Sequence, residues 1–408
     1  MNLVTRTYGF NIYDPRLFEL AKESGEVYTA SLNKFWEIYN DTGEWLTSYK
    51  LQEIMKDFIQ RNYLHSDSYL GSLQQVHKNL ASWKEAKKVR PELKPPYKSK
   101  FLYMIIFKKS QISRKKGNKL SFSLNKNEKF VINWNKSLPT PTYAHISYNK
   151  TKGWILSTTL ELEIEVAKEL DYAKHLSIDL GVKRIAALFD GDNVVTLSGK
   201  QMRGLVWYRN KLNAKTQSKL SKKIKGSNNY KKIQRAKRKV AARLNNIKKD
   251  ILHKQSRFIV EYAVHNKIGN IDIGDCSGTH INTNLGENNQ QVQQYPERVL
   301  AGYIEYKFKA VGGTVTDVPE YYTTKRCPLC GKINYPHNRV YKCKPCNYTY
   351  DRDGVGTINI YKKVSSVGNE RIRLLTRPFG VKFKNDLSFN KTNQLLSVKK
   401  EPCSKERG

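Results

Sequence analysis

The 408-residue sequence predicts a multidomain protein that combines an α/β domain with a β-barrel. Three observations support this fold class. Helical signals fill residues 14–97, short β-rich runs fill residues 98–170, and strands alternate with helices over residues 171–322. A chain of this length has room for two or three domains with cores of their own.

The N-terminal half is predicted to be a β-barrel that carries a helical insertion. Runs such as "FLYMIIFKKS" and "GWILSTTLELEIEV" are separated by Lys, Asn and Gly turns, which is typical of short strands. Residues 1–13 and 98–170 together supply these strands. Between them, Asp14 and Pro15 form a helix-start signal, so residues 14–97 are predicted to be the inserted helical domain.

The C-terminal half follows the order of elements found in the ribonuclease H fold. "HLSIDLGVKRIAALFDGDNVVTLSG" predicts three strands in a meander, and a long basic helical pair follows it. "IGNIDIGD" and "GGTVTDVPE" are the next two strands, with a helix between them, which gives the order β-β-β-α-β-α-β. Residues 171–322 and 351–363 are predicted to form this domain. The Ser-, Asn- and Lys-rich residues 364–408 are predicted to be a disordered tail.

Four cysteines within residues 323–350 predict a structural zinc ribbon. Cys327 and Cys330 form one CxxC pair, Cys343 and Cys346 form the second, and twelve residues separate the pairs. Four thiolates at this spacing make a closed tetrahedral zinc site with no position left for substrate. The alternative is four incidental buried cysteines. The first residues of the chain lack the apolar core of a secretory signal, so we expect reduced thiols and a cytoplasmic location.

Two aspartates are candidates for a catalytic site. Asp179 lies in the apolar strand "SIDLGV", where a carboxylate is costly unless it binds a cation. Asp353, in "DRDGVGTINI", begins the last predicted helix. Both have plainer explanations, namely an exposed edge strand for Asp179 and a helix cap formed by Asp351 or Asp353. Two-metal phosphodiester chemistry requires rigid carboxylates in a sheet, and we therefore interpret Asp179 and Asp353 as metal ligands.

Motifs in residues 170–362 resemble those of TnpB proteins and occur in the same order. The shared motifs are "SIDLGVKRIAAL", the basic helical pair ending in "LHKQSRFIV", "YYTTKRCPLCG", the second CxxC pair and "DRDGVGTINI". TnpB proteins are RNA-guided nucleases of transposons and are related to compact type V CRISPR effectors. The resemblance implies a RuvC-like domain that cuts DNA with an Asp, a Glu and an Asp around two magnesium ions. It is looser over the N-terminal half, where it implies a wedge-like barrel and a recognition domain.

The sequence departs from TnpB at the second acid. The family's strand ends with Glu, whereas "IDIGDCSG" has Gly274 at that position and Asp275 next to it. Glu305, in "ERVLAGYIEYKFKAVGG", is predicted to replace the missing side chain, because it can reach from the following helix into the space above a glycine. Asp275 is the alternative, although neighbouring strand residues point to opposite faces. The predicted catalytic and magnesium-binding residues are therefore Asp179, Glu305 and Asp353. A solvated helix acid at Glu305 and a nuclease-dead site are the interpretations that stay open.

The charge of the chain predicts a nucleic-acid partner. A formal net charge of +37 exceeds what solubility needs, and no apolar run of about 18 residues is present to cross a membrane. Residues 203–257 contain many lysines and arginines and a single acid, Asp250. We expect these helices to contact an RNA–DNA duplex through its backbone and shape. A solvated charged face is the alternative.

The sequence as a whole predicts an RNA-guided DNA endonuclease of the TnpB type. A guide RNA and double-stranded target DNA are the expected partners, no membrane is expected, and a monomer is favoured. Structural Zn²⁺ and catalytic Mg²⁺ are the expected cofactors. One alternative is a small type V CRISPR effector with the same chemistry. Another is a nuclease-dead, RNA-guided repressor, which Gly274 suggests.

Overall fold

The protein is a mixed α/β, multidomain chain. The computed structural model describes residues 2–125, 127–164, 169–275, 293–336 and 338–381. Contacts between Cα atoms divide the described chain into an N-terminal unit, Leu3–Ile164, and a C-terminal unit that begins after it. Each unit has a hydrophobic core of its own.

The strands of the N-terminal unit form two separate sheets. The first sheet contains β1 (Asn2–Ile12), β2 (Ile105–Lys108), β6 (Tyr143–Asn149) and β7 (Gly153–Ile164), in the order β1-β7-β6-β2. The second contains β3 (Ile112–Lys115), β4 (Lys119–Ser123) and β5 (Lys129–Asn133). A single closed barrel is therefore not seen in the part of the chain that the structure describes. A short 3₁₀ turn, Lys109–Gln111, separates β2 from β3, so the pairing with the first sheet ends there and the second sheet begins.

Three helices lie between β1 and β2. They are α1 (Leu17–Thr42), α2 (Ser48–Phe58) and α3 (Ser66–Val89). Asp14 accepts hydrogen bonds from the backbone and side chain of Arg16, and the helix begins at the next residue. Buried side chains of all three helices belong to the same core cluster as those of the strands, for example Phe35, Met55 and Phe107. The helices and strands of this unit consequently share one core.

A six-stranded sheet is the centre of the C-terminal unit. Its first three strands are β8 (Asp171–Leu180), β9 (Arg184–Phe189) and β10 (Val194–Ser198). Helices α4 (Lys200–Ser221) and α5 (Asn228–His265), strand β11 (Ile268–Asp275), helix α6 (Glu297–Ala310) and strand β12 (Thr314–Pro319) follow. A hairpin of β13 (Val340–Cys343) and β14 (Tyr348–Asp351) precedes α7 (Arg352–Val364), α8 (Asn369–Leu374) and β15 (Phe379–Val381). The strand order is β12-β11-β8-β9-β10-β15, and β11 runs parallel to both β8 and β12.

The two faces of strand β8 differ because its side chains alternate in direction. Leu176, Ile178 and Leu180 pack into a core that α5 and α6 complete. The opposite face meets α7, where the Ser177 hydroxyl donates to the Thr357 carbonyl at 2.8 Å and the Thr357 hydroxyl donates to the Ser177 carbonyl at 3.0 Å. The face that carries Asp179 is therefore covered by the helix that carries Asp353.

The prediction of a disordered tail over residues 364–408 is wrong for its first part. Helix α8 and strand β15 are ordered, and β15 pairs in parallel with β10, Val195 opposite Phe379. Phe379 and Val381 pack against the core of the C-terminal unit, so a short apolar run inside a polar segment is enough to extend the sheet. Residues 382–408 lie outside the described residues. No helix of the described chain has the length and apolarity that a membrane span requires.

Candidate active site and metal centre

The four cysteines form a compact cluster at the turn of the β13–β14 hairpin. Their sulfur atoms all lie within 4.8 Å of one another, with Cys327 and Cys346 3.9 Å apart and Cys330 and Cys343 3.7 Å apart. A zinc ion with Zn–S bonds of ~2.3 Å in a tetrahedron would space its sulfurs by ~3.8 Å. Both the donor set and the spacing fit Zn²⁺. Each side chain offers one sulfur, so four sulfurs would close the coordination shell of such an ion.

The cysteine cluster also joins the hairpin to α7. Cys327, Cys343 and Tyr341 belong to the same core cluster as Val355 and Ile358 of α7. Two further hydrogen bonds tie this helix to the segment before the first CxxC pair, since the Asn359 amide donates to the carbonyls of Thr323 and Arg326 at 2.7 Å each. A metal in the cysteine cluster would therefore stabilise the position of α7.

Asp179 lies at the carboxyl end of β8, directly against α7. A Cβ atom placed on Gly356 would come within 2.2 Å of Asp179 Oδ2. Only a glycine at that position lets the helix approach so closely, which explains the glycine in "DRDGVGTINI". The carboxylate therefore has one side against the helix backbone.

Gly274 occupies the corresponding position on β11. Ile273 pairs with Ile178, so Gly274 is the next residue along, beside Asp179 and on the same face of the sheet. A Cβ atom on Gly274 would lie 2.0 Å from Oε1 of Glu320 and 2.6 Å from its Cγ. The Glu320 side chain thus fills the space that a side chain at Gly274 would need.

Glu320 reaches this space from the end of β12. Val318 pairs with Gly274 in the parallel ladder, and Glu320, two residues further on, emerges on the same face. Its Oε1 atom is buried and makes no hydrogen bond to any residue that the structure describes. A buried, uncompensated carboxylate oxygen is costly, and a cation would offset that cost.

A fourth acid, Glu297, borders this group from the first turn of α6. Its side chain is buried, and its charge raises the pKa of Asp179. We call Asp179, Glu297, Glu320 and Asp353 the acid cluster. Neither Glu297 nor Glu320 is among the residues that the sequence predicts.

The pKa values of Asp179, Glu297 and Glu320 are all raised, which indicates a site that favours a cation. Burial raises the pKa of Asp179 well above its usual value, and the charges of Glu320, Asp353 and Glu297 raise it further. Burial also raises the pKa of Glu320 to about 7, with a contribution from Asp275. Burial and the charge of Glu320 raise the pKa of Glu297 to about 7. Several carboxylates therefore repel one another in a poorly solvated space, which a divalent cation would relieve.

Asp353 is held by two arginines. Arg339, from the chain between the CxxC pairs, binds both carboxylate oxygens at 2.6 and 2.5 Å, and Arg184 lies 3.4 Å from Oδ2. Asp351 is the cap of α7, since its Oδ1 accepts from the backbone N–H groups of Asp353 and Gly354. Asp351 also pairs with Arg184. The open question of which aspartate caps the helix is thereby answered: Asp351 caps it, and the carboxylate of Asp353 pairs with the arginines instead.

The structure does not bring Glu305 to the acid cluster. Glu305 lies on the exposed side of α6, where its side chain is 49% exposed and pairs with Lys309 at 2.6 Å. The buried side of the helix consists of Glu297, Leu300, Ile304 and Phe308. Glu305 follows Ile304 directly, and the step of about 100° per residue in a helix turns it away from the sheet. Asp275, the alternative, is exposed at the end of β11.

The sequence does contain a signal for Glu320, because side chains alternate between the two faces of a strand. Parallel strands end at one edge of a sheet, so acids that end β8, β11 and β12 converge there. Val318 and Glu320 share a face of the last strand, and Gly274 leaves room beside them. The signal is weak because Glu320 is the last residue of the predicted strand and stands beside two tyrosines.

Helices α4 and α5 form a basic pair with a thin apolar seam. Leu220 and Leu244 are buried between them, whereas Ile224, in the turn, is 83% exposed. Asp250 pairs with Lys254 on the same helix at 2.8 Å. Arg257 pairs with Glu261. The other lysines and arginines give this segment a strong excess of positive charge, which is typical of surfaces that bind polyanions.

Two family models match the chain. One, OrfB_IS605, described as "Probable transposase", matches residues 159–279, and the other, the Cas12f1-like TNB domain, matches residues 298–360. Together they cover β8, β11, the acid-bearing end of β12 and the cysteine cluster. Both matches therefore lie almost entirely in the C-terminal unit.

Curated relatives and solved structures agree with these matches. A TnpB-like protein of Methanocaldococcus jannaschii is 30% identical over 212 residues, which are 51% of this chain and 75% of the relative. A protein of Escherichia coli named "Putative RNA-guided DNA endonuclease InsQ" is 28% identical over 51% of this chain and 53% of its own length. The Cas12f1 chain of a complex with sgRNA and target DNA has a similar fold, with a TM-score of 0.57, 16% identity, and coverage of 84% of this chain and 81% of that one.

Proposed function

The chain belongs to the TnpB-like family, and from this membership and the acid cluster we propose that it is an RNA-guided DNA endonuclease. The six-stranded sheet with its flanking helices is then a RuvC-like domain of the ribonuclease H fold, and the cysteine hairpin its zinc ribbon. The observation that carries the proposal is the meeting of Asp179, Glu320 and Asp353 at the carboxyl edge of the sheet. The acid set proposed from the structure thus has Glu320 in place of Glu305.

The three carboxylates fit a pair of hard divalent cations such as Mg²⁺. The cysteines are the only group of three or more potential ligands in the described residues whose atoms all lie within 4.8 Å. The acid cluster is wider, which suits two ions roughly 4 Å apart better than one. Held by these carboxylates, such ions would supply an activated water molecule and would neutralise charge that develops on the phosphate. Glu320 and Asp179 supply fixed oxygens from neighbouring strands, and Asp353 supplies one from the helix that covers them.

Arg339 and Arg184 give the site positive charge of its own. Both side chains bind Asp353 in this structure, and a guanidinium group binds a phosphate as readily as a carboxylate. Asp353 cannot direct its oxygens to a cation while Arg339 holds both of them. We propose that Arg339 exchanges Asp353 for a phosphate of the DNA strand.

The nucleic-acid partners follow from family and charge together. The basic pair α4–α5 supplies a surface for the backbone of an RNA–DNA duplex, and the Cas12f1 structure of similar fold was solved with sgRNA and target DNA. A Cas12f1-like effector is the second candidate, favoured by the model that matches residues 298–360. Gly274 alone would favour a DNA-binding repressor without cleavage, but Glu320 fills the position that Gly274 leaves open.

The proposal is tested by purifying the full chain with its bound RNA and sequencing that RNA. Target DNA complementary to the variable part of the RNA should be cut in Mg²⁺, and EDTA should abolish cutting. Replacing Lys237, Arg238 and Lys239 together should weaken RNA binding and reduce its salt dependence. The log–log slope should fall by roughly 0.7 to 0.9 for each phosphate that the protein no longer neutralises. A protein that carries no RNA, or that cuts equally well in EDTA, would contradict the proposal.

A further inference from the structure

A groove of about 440 Å³ lies between helices α4 and α5, and we call it the α4–α5 groove. Its volume is within the range of pockets that hold small-molecule ligands. Leu212, Val240 and Leu244 supply its apolar surface, and Ala236 and Ala241 also line it. Longer side chains at the two alanines would fill the space. The groove is therefore open because two positions of the seam carry short side chains.

The polar residues of the groove are mainly amides and cations. Asn210, Asn213 and Asn245 line it, and none of these side-chain amides has a hydrogen bond to a residue that the structure describes. Lys219 and Lys237 line it as well, and no carboxylate does so in the described part of the chain. Apolar surface, amides and cations match the three parts of a nucleotide, namely the face of its base, the edge of its base and its phosphate.

The charge around the groove favours a nucleic acid over a neutral or cationic ligand. Residues 203–257 contain a single acid, Asp250, and its carboxylate is already paired with Lys254 at 2.8 Å. A phosphate beside so many cations is stabilised, whereas an uncharged molecule gains nothing from them. The base of that nucleic acid has to be unpaired, because a duplex stacks the faces of its bases inside the helix.

We propose that the α4–α5 groove binds one unpaired base of the constant part of the bound RNA, the part that does not pair with target DNA. Amides that read the edge of a base are useful only against a fixed sequence, and the guide part of the RNA changes with each target. Unpaired bases in loops and bulges are also the places where proteins read RNA by sequence. This inference rests on the proposed function, which requires a bound RNA, and it adds one position at which sequence is read.

The substitution Ala236→Leu tests the groove without changing its charge. The full chain is reconstituted with the RNA that co-purifies with it, and RNA affinity is measured over a range of salt concentrations. We expect about tenfold weaker binding and an unchanged log–log slope, because the leucine excludes a base and leaves the phosphate contacts in place. Ala214→Leu is the matched control, since it is the same exchange at an exposed position of α4 that does not line the groove. Its affinity should equal that of the wild type.

Chemical probing of the RNA with reagents for all four bases identifies the nucleotide. We expect one base of the constant part to be protected in the wild-type and Ala214→Leu complexes and to react in the Ala236→Leu complex. Replacing that nucleotide by an abasic one should weaken wild-type binding about tenfold. The same RNA should bind Ala236→Leu no more weakly than the intact RNA does, because the leucine and the abasic site remove one and the same contact.

Three results would overturn the inference. Unchanged affinity in Ala236→Leu, with higher thermal stability, would show that the groove is only a packing defect that the leucine fills. Weaker binding with a smaller salt slope would show a contact to the RNA backbone and not to a base. Protection that Ala236→Leu removes from the guide part, or from target DNA, would overturn the assignment to the constant part.

Two further measurements separate the possible failures. Thermal unfolding shows whether Ala236→Leu folds, and Asn245→Ala, which only shortens an exposed side chain, should weaken binding and lose the same protection if it does not. Guided cleavage by the wild-type complex is measured in parallel. No cleavage together with the expected protection would count against the proposed endonuclease and leave the groove standing. Normal cleavage with no protected base that depends on Ala236 would overturn the groove alone.

Discussion

The cysteine cluster and the acid cluster reach their ligand sets by opposite routes. The four cysteines lie within a stretch of twenty residues, and their sulfur atoms all lie within 4.8 Å of one another. The acids come from β8, α6, the end of β12 and α7, so the sheet must form before they meet. A local cluster is a property of spacing along the chain, and a dispersed one is a property of strand register.

The two clusters also differ in what their side chains contact. The sulfur atoms of the cysteine cluster lie against one another. The acids repel one another, and Asp353 is paired with Arg339 and Arg184 instead. The first cluster is therefore a binding site that is already assembled. Under the proposed function, Asp353 has to exchange Arg339 for a cation before the second can act.

The largest effect should come from removing one acid. Asp179→Ala, Glu320→Ala and Asp353→Ala should each lower the rate of guided DNA cleavage by about 10³-fold or more, because each removes an oxygen that holds an ion worth several kcal/mol to the transition state. Single-turnover cleavage at saturating Mg²⁺ measures this. RNA binding is the control and should be unchanged. Cleavage within tenfold of wild type after Glu320→Ala would remove Glu320 from the site.

Substitution in the cysteine cluster should lower the stability of the protein, not only its cleavage rate. Cys343→Ser should release zinc and destabilise the ribbon by about 4 kcal/mol or more, since few apolar residues offset the backbone entropy of this segment. Metal content by mass spectrometry and thermal unfolding measure this outcome. A metal-free protein with the wild-type unfolding profile would show that the cluster holds no structural ion.

The sequence is sufficient for whatever is local. The CxxC spacing predicts the cysteine cluster, and the apolar pattern predicts β8 through β12 in order. The sequence does not predict which strands pair. Glu320 lies near Asp179 only because β11 lies between β12 and β8 and has a glycine, Gly274, beside both side chains. The prediction of Glu305 relies on its position in the helix that follows β11. Glu305 is one residue after the buried Ile304, and that step around the helix turns its side chain towards solvent. Strand β15 escapes prediction because three residues in a polar tail carry too little pattern.

Substitutions at Gly274 and Glu320 test whether the third acid depends on strand register, because they can move a carboxylate from the end of β12 to β11. Gly274→Ala should slow cleavage by about 10–100-fold, since a methyl group there collides with the Glu320 side chain. Glu320→Ala combined with Gly274→Glu should recover at least tenfold over Glu320→Ala alone, because the new carboxylate starts from a position that faces the same space.

Two outcomes would contradict this account of Gly274. Normal cleavage by Gly274→Ala would mean that Glu320 is not required where it lies. No recovery in the double variant, despite normal folding and RNA binding, would mean that the two positions do not share one space. Thermal unfolding is the control for both.

Arg339→Ala should have two effects, a lower cleavage rate and a lower Mg²⁺ requirement. Cleavage should slow by about 10–100-fold, the worth of one charge-assisted hydrogen bond to the phosphate. The Mg²⁺ concentration for half-maximal cleavage should fall, because Asp353 no longer pairs with a competing cation. Arg339→Lys should recover part of the rate. A variant with the wild-type rate and the wild-type Mg²⁺ dependence would show that the Arg339–Asp353 pair is structural only.

The smallest effect should come from Glu305→Ala, and it decides between the two candidates for the third acid. Glu305 makes an exposed i,i+4 ion pair with Lys309, which contributes roughly 0.3–0.5 kcal/mol to stability. Cleavage should therefore stay within about twofold of wild type. Glu297→Gln, on the buried side of the same helix and next to the acids, is the matched variant and should slow cleavage more. A loss of tenfold or more in Glu305→Ala, with Glu320→Ala still active, would restore Glu305 to the site and displace Glu320.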